Sequence, residues 1–231
     1  MPAIETDYLI IGAGAVGLAF ADALLDQSQA DIVIVDRHGM PGGHWNDAYP
    51  FVALHQPSAF YGVNSLDLGS NRIDGSGPNK GYYELASGSE VSAYFDKVMR
   101  ERLLASGRVR YFPMSDYLWS DADLAAGKGR FRSLLSGEES RVEVRQRIVD
   151  ATYYGTTVPS THTPKFTWEE GVRVVPPNAL PGLWQEAGPC PERYAILGAG
   201  KTAMDVAIWL TRCGVDPDRI DWVRPRDSWM L

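Results

Sequence analysis

The chain has 231 residues, 45% hydrophobic and 22% charged, which suits one large domain or one and a half smaller ones and is long enough to bury a core. Its 22 basic and 29 acidic residues give a formal net charge of -7, dispersed with no basic stripe, which argues against a general nucleic-acid or anionic-membrane binder. No apolar run approaches the ~20 residues needed to span a bilayer.

The first strong pattern is an apolar run, Tyr8-Leu9-Ile10-Ile11, that leads directly into Gly12-Ala13-Gly14-Ala15-Val16-Gly17 and then into a mostly apolar helical stretch ending near Asp26 or Gln27. This is strand, tight turn, helix. Gly12 permits the turn, Gly14 lets backbone approach a pyrophosphate, and Gly17 lets helix pack on strand. The helix N-terminus, at Ala15 and Val16, offers free N–H groups and a positive dipole end to the anion. Because this motif begins at residue 12, no room is expected ahead of it for a secretory leader, and a cytoplasmic protein starting at Met1 is expected.

A second buried strand, Ile32 to Val35, ends in Asp36, 19 residues after Gly17, close to where a carboxylate reaches the ribose hydroxyls of an adenine nucleotide. Arg37 follows it as a second candidate for the same nucleotide. Residues 37–50 hold Gly39, Pro41, Gly42, Gly43 and Pro50 with two histidines and two aromatic residues, which predicts an irregular loop and excludes a helix or central strand. Its aromatic and apolar content, continuing through Phe51, Leu54, Phe60 and Tyr61, predicts order against something flat and large. Residues 68–80, rich in Gly, Ser and Asn, predict a mobile surface loop.

Ser87 and Glu90 have the spacing of a capping box and open a helix to about Ala105, with Val91, Tyr94, Phe95, Val98 and Met99 on one face; Gly107 ends it and Val109, Tyr111 and Phe112 give a strand. Runs at 117–119, 131–135 and 142–149, broken by Gly127, Gly129 and Gly137, predict a small antiparallel meander on the main sheet. Residues 159–192 are Pro-rich and read as a linker, with His162 a surface residue of no assigned role. Cys190 and Cys213, with no CxxC, read as small core or loop residues rather than a redox-active disulfide, and no metal site is expected.

The opening pattern then recurs. Tyr194-Ala195-Ile196-Leu197 leads into Gly198-Ala199-Gly200-Lys201-Thr202-Ala203 and a helix, and the next strand, Ile220 to Val223, ends in Arg224, 21 residues after Ala203, with Arg226 beyond it. An arginine there would pair with a 2'-phosphate and so points to NADPH; the alternative is a solvated arginine at a strand end.

Two nucleotide turns 186 residues apart, with a meander and a linker between them, resemble the two-dinucleotide-binding-domain flavoproteins. Gly42-Gly43-His44-Trp45 followed by Tyr49-Pro50 is similar to the GG-x-W and YP segment of the class B flavoprotein monooxygenases, the flavin-containing, N-hydroxylating and Baeyer-Villiger enzymes, and Ile148-Val149-Asp150-Ala151-Thr152 is similar to the strand that closes their first FAD segment. The resemblance implies an α/β architecture: a three-layer Rossmann-like FAD-binding domain with its meander over 1–158, the linker over 159–192, and the start of a second Rossmann-like NAD(P)H-binding domain over 193–231.

It implies FAD on Gly12, Gly14 and Gly17, with Asp36 at the ribose and Gly43, His44 and Trp45 along the flavin and its linker. NADPH would lie on Gly198, Gly200, Thr202 and Ala203, with Lys201 beside them. His55 and Gln56 fall where the family places a polar residue, Asp or Asn, near the reactive flavin edge, so His55 is the catalytic candidate, with a loop histidine as the alternative. The linker lacks the FxGxxxHxxxWP fingerprint of Baeyer-Villiger enzymes. Only 30 residues follow Lys201, whereas the family needs on the order of a hundred to finish the second domain.

The expectation is therefore a fragment of a longer enzyme, or a truncated relative completed by a partner, with an apolar sheet edge and helix face left exposed. The expected activity is an FAD- and NADPH-dependent, monooxygenase-like oxidation of a small organic substrate. A flavin reductase or dehydrogenase without oxygen insertion, and a non-catalytic FAD- or NADPH-binding module, stay as alternatives; a homo-oligomer or a C-terminal segment is the expected completion.

Overall fold

In the computed structural model, which describes residues 3–152, 160, 163–185 and 190–226, the apolar run before the first glycine turn is the central strand of a sheet. By contacts, the described residues of 1–47 and 57–155 form one compact unit and those of 48–56 and 156–231 a second. His162, Pro159 and Pro189 of the expected linker lie outside the described residues.

The first unit runs β1 (Ile4–Ile11), α1 (Ala15–Gln27), β2 (Ile32–Val35), β3 (Gly62–Val63), β4 (Leu66–Asp67), α2 (Gly88–Lys97), β5 (Val109–Phe112), β6 (Ser115–Tyr117), α3 (Asp121–Ala125), β7 (Lys128–Ser133) and β8 (Glu139–Asp150). The main sheet has the order β5-β2-β1-β8-β7-β6, parallel through its first four strands and antiparallel through β7 and β6. Parallel strands are covered on both faces, which is why β2 is four consecutive buried aliphatic residues rather than an alternation.

Register sets up the site. Ile11 lies opposite Val35 on one side and Asp150 on the other, and Val35 lies opposite Phe112, so the C-terminal ends of four parallel strands finish level. The glycine turn, Asp36 and Ala151 all emerge at that crest, where ligands of open α/β sheets bind.

Leu9, Ile11, Val33 and Val35 form one buried face with Tyr117, Phe131 and Val142, so the predicted meander is present and closes over the core of its own sheet. Ile10, Ile32 and Ile34 are buried on the opposite side, where α1 buries Leu18, Ala21 and Leu25. The capping box at Ser87 and Glu90 is formed as predicted. The helix beyond it differs from the expectation: it is α-helical only to Lys97, then a π turn at Val98–Leu103 and a 3-10 turn at Leu104–Ser106 before Gly107 at φ 72°. The wider turn buries Val98, Met99 and Leu103 together.

Two loops hold more regular structure than predicted. Residues 37–50, expected to hold no helix, contain a 3-10 turn at Gly43–Asp47, which Gly43 can begin because its φ of 56° costs a glycine little. Residues 68–80 are mostly exposed, as a surface loop should be, but Leu68 is buried, Ser70 bonds Glu84, and Ile73 bridges to Tyr83.

The second unit contains β9 (Tyr194–Leu197), α4 (Lys201–Arg212) and β10 (Ile220–Val223), with β9 and β10 parallel. Residues read as linker contribute to its core: a 3-10 helix at Pro177–Trp184 places Leu180 and Leu183 with Ile196, Ala203, Val206 and Leu210. Proline ends regular α-helix but is compatible with short 3-10 turns, so the Pro-rich composition concealed an ordered element. Ala48–Gln56 also packs here, Phe51 stacking on Trp209 at 4.6 Å and 16°. Leu197, Ile208 and Val223 each keep about half of their surface exposed. Cys190 and Cys213 are exposed free thiols, which removes the core reading for both.

Candidate functional site

The first glycine turn is built by close backbone approach. Gly12 has φ 102°, its N–H donates to the Val35 carbonyl at 2.8 Å, and a Cβ there would lie 2.9 Å from Thr152 Cγ2. Gly17 is tighter: a Cβ would fall 2.0 Å from the Gly12 carbonyl oxygen, so only glycine lets α1 start this close to β1. The N-cap of α1 is Gly14, which has no side chain to cap the helix, and the first turn carries no acidic residue. The first-turn N–H groups are therefore left for an external acceptor, beside a Val16 that is 66% exposed. An anion is the ligand such a terminus favours.

The second wall of this cradle comes from the loop at 42–47. Gly42 N–H donates to the Ala13 carbonyl at 2.8 Å, and the Gly43 backbone lies directly on Gly14. Trp45, two residues on, is oriented by its Nε1–H donating to Tyr61 Oη at 2.7 Å, with the rings edge to face. Burial raises the Tyr61 pKa although the indole N–H works the other way. His44 stacks on Trp45 at 5.5 Å; burial of its ring lowers its pKa against the pull of Asp47, although the residue as a whole is exposed.

Asp36, expected at a nucleotide ribose, lies at the glycine turn with its carboxylate engaged by protein groups. It is 6% exposed, and Oδ2 accepts from Ala13 N–H at 2.5 Å while Oδ1 accepts from the His38 backbone N–H at 2.7 Å and from His38 Nδ1 at 3.0 Å. Of roughly four acceptor directions on a carboxylate, one remains for a ribose hydroxyl. His38 is the residue the sequence reading passed over: its Nε2 lies 2.9 Å from Asp47 Oδ2, so one ring bridges two carboxylates. Arg37, adjacent in sequence, turns outward to Asp116 at 3.3 Å.

The second turn repeats the pattern in the second unit. Gly198 has φ 127° and donates to the Val223 carbonyl at 3.0 Å; Trp222 Nε1–H donates to the Gly198 carbonyl at 2.7 Å. The N-cap of α4 is Gly200, again without a side-chain cap or an acidic first turn. The ammonium of Lys201, a residue expected beside the NADPH pyrophosphate, bonds the Asp205 carboxylate and the Ala53 carbonyl. Tyr49 Oη donates to the same Asp205 Oδ2 at 2.7 Å, and burial together with that carboxylate raises the Tyr49 pKa far above its ordinary value. Thr202 contacts Tyr49 and Ala203 is buried. Arg224 lies over the Trp222 ring at 5.1 Å, and Arg226 is exposed.

The structure thus brings Gly12, Gly14, Ala15, Val16, Gly17, Asp36 and Gly43 together, and separately Gly198, Gly200, Lys201, Thr202 and Ala203. His55 is exposed and Gln56 half-buried, and among the described residues neither side chain makes a hydrogen bond. Both lie on the segment held by Tyr49, Phe51 and Ala53. Of the residues missed, Asp205 was legible as the i+4 partner of Lys201; His38 and Asp47 carried no local signal. Among the described residues there is no cluster of three or more metal-ligating side chains, and no helix is long and apolar enough to cross a membrane.

A family model described as an NAD(P)-binding Rossmann-like domain matches residues 10–85, the stretch holding the first turn. The fold is Rossmann-like. Over 228 residues the chain is 53% identical to uncharacterised proteins of Mycobacterium bovis and of Mycobacterium tuberculosis, covering 99% of this chain and 40% of theirs, so it spans about two-fifths of their length. Among solved structures it resembles a flavin-containing monooxygenase from Stenotrophomonas maltophilia, at TM-score 0.60 and 19% identity over 99% of this chain and 60% of that one. Cyclohexanone monooxygenase matches at 0.51 and 17% over 91% and 38%, and L-proline dehydrogenase from P. horikoshii at 0.51 and 15% over 99% and 37%. At these identities the likeness is one of fold.

Proposed function

We propose that this chain carries the FAD- and nicotinamide-binding elements of a flavin-dependent oxidoreductase that uses NADPH and oxidises a small organic substrate in the manner of a monooxygenase. The observation that carries the reading is the double glycine cradle, in which Gly43 backbone lies on Gly14 beside an uncapped helix N-terminus with no acidic first turn. That donor set suits a pyrophosphate, and the glycines leave room that a Cβ would fill.

Gly12, Gly14, Ala15, Val16 and Gly17 would hold the FAD pyrophosphate and Asp36 the ribose through its remaining acceptor direction. Gly43, His44 and Trp45 would line the path toward the flavin, with Trp45 held in place by Tyr61. Gly198, Gly200, Thr202 and Ala203 would hold the NADPH pyrophosphate. Arg224 and Arg226 would take its 2'-phosphate, the basis for NADPH over NADH. FAD supplies hydride acceptance and, when reduced, reaction with oxygen; the chain supplies binding, orientation and exclusion of water. His55 is the group we assign to hold a proton near the flavin edge, with Gln56 beside it as a hydrogen-bonding partner for substrate or nicotinamide.

A flavin dehydrogenase is the second reading, since the fold shared with the monooxygenases is also that of L-proline dehydrogenase from P. horikoshii. Acid release of bound cofactor from the protein as purified tests the core of both. About one FAD per chain is expected; a colourless protein that takes up no added FAD overturns the proposal. Oxygen uptake linked to substrate during NADPH oxidation then supports monooxygenation, and electron transfer only to other acceptors supports the dehydrogenase.

A further inference from the structure

His38 is placed where a single ring holds both walls of the first cradle. Its Nδ1 lies 3.0 Å from Asp36 Oδ1 and its Nε2 lies 2.9 Å from Asp47 Oδ2. Ionised carboxylates only accept hydrogen bonds, so both ring nitrogens must carry a proton for both contacts to be hydrogen bonds. Only the imidazolium meets that condition; a neutral ring can donate to one carboxylate and must turn a lone pair to the other.

The two carboxylates belong to different walls. Asp36 ends β2 and accepts from Ala13 N–H inside the glycine turn. Asp47 closes the 3-10 turn that begins at Gly43, the residue lying on Gly14. The backbone around His38 is itself anchored: Met114 N–H donates to the His38 carbonyl at 3.0 Å and Ser115 N–H to the Asp36 carbonyl at 2.9 Å. The ring is thus a titratable side-chain link between two pieces that the Gly42 N–H to Ala13 carbonyl bond also joins.

We propose that the His38 imidazolium, bonded to Asp36 and Asp47, is a positioning residue that holds the Gly43–Asp47 turn against the Gly12–Gly17 turn, so that the cradle retains its dinucleotide tightly while His38 is charged and loosely once it is neutral. This rests on the assignment of the first turn as a dinucleotide site. Asp36 and Asp47 are the charged groups bonded to the ring; neighbouring Arg37 is directed to Asp116 on β6, and half-buried Tyr111 on β5, its hydroxyl buried, lies within reach of the Asp36 charge. Burial by itself would lower the His38 pKa, but the bonds and charges of Asp47 and Asp36 outweigh it and raise the value above the ordinary 6.5. The sign follows: the clamp is complete below the ordinary value and is lost as pH rises through the raised one.

The test has two independent arms. In the first, FAD affinity is measured by fluorescence from about pH 6 to about pH 9; the unsubstituted protein is expected to weaken about tenfold on the alkaline side, and His38→Gln to be flat and as weak throughout as the unsubstituted protein at the alkaline end. Asp47→Asn should lose most of the dependence. A flat profile in the unsubstituted protein, or full affinity in His38→Gln, overturns the retention role. In the second arm, the His38 ring is titrated by proton NMR in flavin-free protein. A value above the ordinary one that falls in Asp47→Asn supports the clamp; a value at or below it overturns the clamp whether or not flavin binds. A protein that takes up no flavin at any pH overturns the dinucleotide assignment and the retention role with it, and the NMR arm still decides the bridge.

Discussion

Gly43 rests on Gly14, and the contact is asymmetric. A Cβ on Gly43 would lie 2.9 Å from the Gly14 Cα, whereas a Cβ on Gly14 would lie 3.5 Å from the Gly43 Cα, an ordinary van der Waals distance. Gly14 also has an extended backbone, φ -81°, that any residue accepts, while Gly43 sits at φ 56°. The two glycines therefore serve different ends, and substitution should separate them.

Gly14→Ala should leave the melting temperature of the flavin-free protein nearly unchanged, because the added methyl meets open or ordinary contact. The same methyl occupies the gap between the two turns, so FAD affinity should fall at least about tenfold, a loss of about 1.4 kcal/mol. Gly43→Ala should instead lower stability by about 1–3 kcal/mol through its backbone conformation and its clash. Thermal melts paired with flavin titration check both; equal behaviour of the two variants would contradict the asymmetry.

Gly17→Ala is expected to be the most damaging glycine substitution in the first unit. Its Cβ would sit 2.0 Å from a backbone carbonyl oxygen, which cannot turn aside as a side chain can. Separating α1 from β1 disturbs a close-packed interface, and a loss of at least about 3 kcal/mol is expected. A urea midpoint within error of the unsubstituted protein would show that the turn can relax.

Asp22 is a charge buried for structural reasons. It is 1% exposed, and Oδ1 accepts from Arg102 Nε at 2.8 Å and Ser65 Oγ at 2.6 Å, with Oδ2 accepting from Ser65 N–H at 3.1 Å. Burial alone would raise its pKa, but Arg102 and Ser65 outweigh it and hold the carboxyl below 3.8. Its stabilisation is therefore present above that ordinary value and is lost as pH falls through the depressed one. Asp22→Ala leaves the Ser65 donors without their acceptor and Arg102 with Asp26 as its remaining carboxylate, and should cost about 1–3 kcal/mol at neutral pH, with a smaller difference from the unsubstituted protein in strong acid, as read by urea unfolding.

Tyr49→Phe removes the hydroxyl that donates to Asp205 across a sequence separation of 156 residues. Phe51 still stacks on Trp209 and Lys201 still bonds Asp205, so the second unit should fold with a loss of about 1–2 kcal/mol. Amide exchange in residues 48–56 should accelerate more than exchange in α4. Unchanged exchange there would mean that the aromatic stack alone holds the segment bearing His55.

Much of the fold was legible because its signals are local. The glycine turns, the Ser87 and Glu90 capping box, the four-residue aliphatic run of β2 and the meander each announce themselves within a few residues, since turn geometry, capping and strand burial act over that range. The π turn after Lys97 and the 3-10 helix at Pro177–Trp184 were not legible. Both are settled by which side chains reach a core, and composition does not record that.

The same division runs through the site. The residues themselves determined that two strand–glycine turn–helix units exist, where each begins, and that Asp36 stands at the end of β2, because backbone freedom at glycine and strand–turn–helix order are properties of short segments. Only the folded structure decided what those groups are bonded to: that Asp36 is shared between Ala13 and His38, that His38 reaches Asp47, and that Lys201 also bonds the Ala53 carbonyl. A charged side chain takes the nearest compatible partner in space, and that neighbour is set by how the loops turn and the chain crosses itself, which composition and motif spacing do not encode.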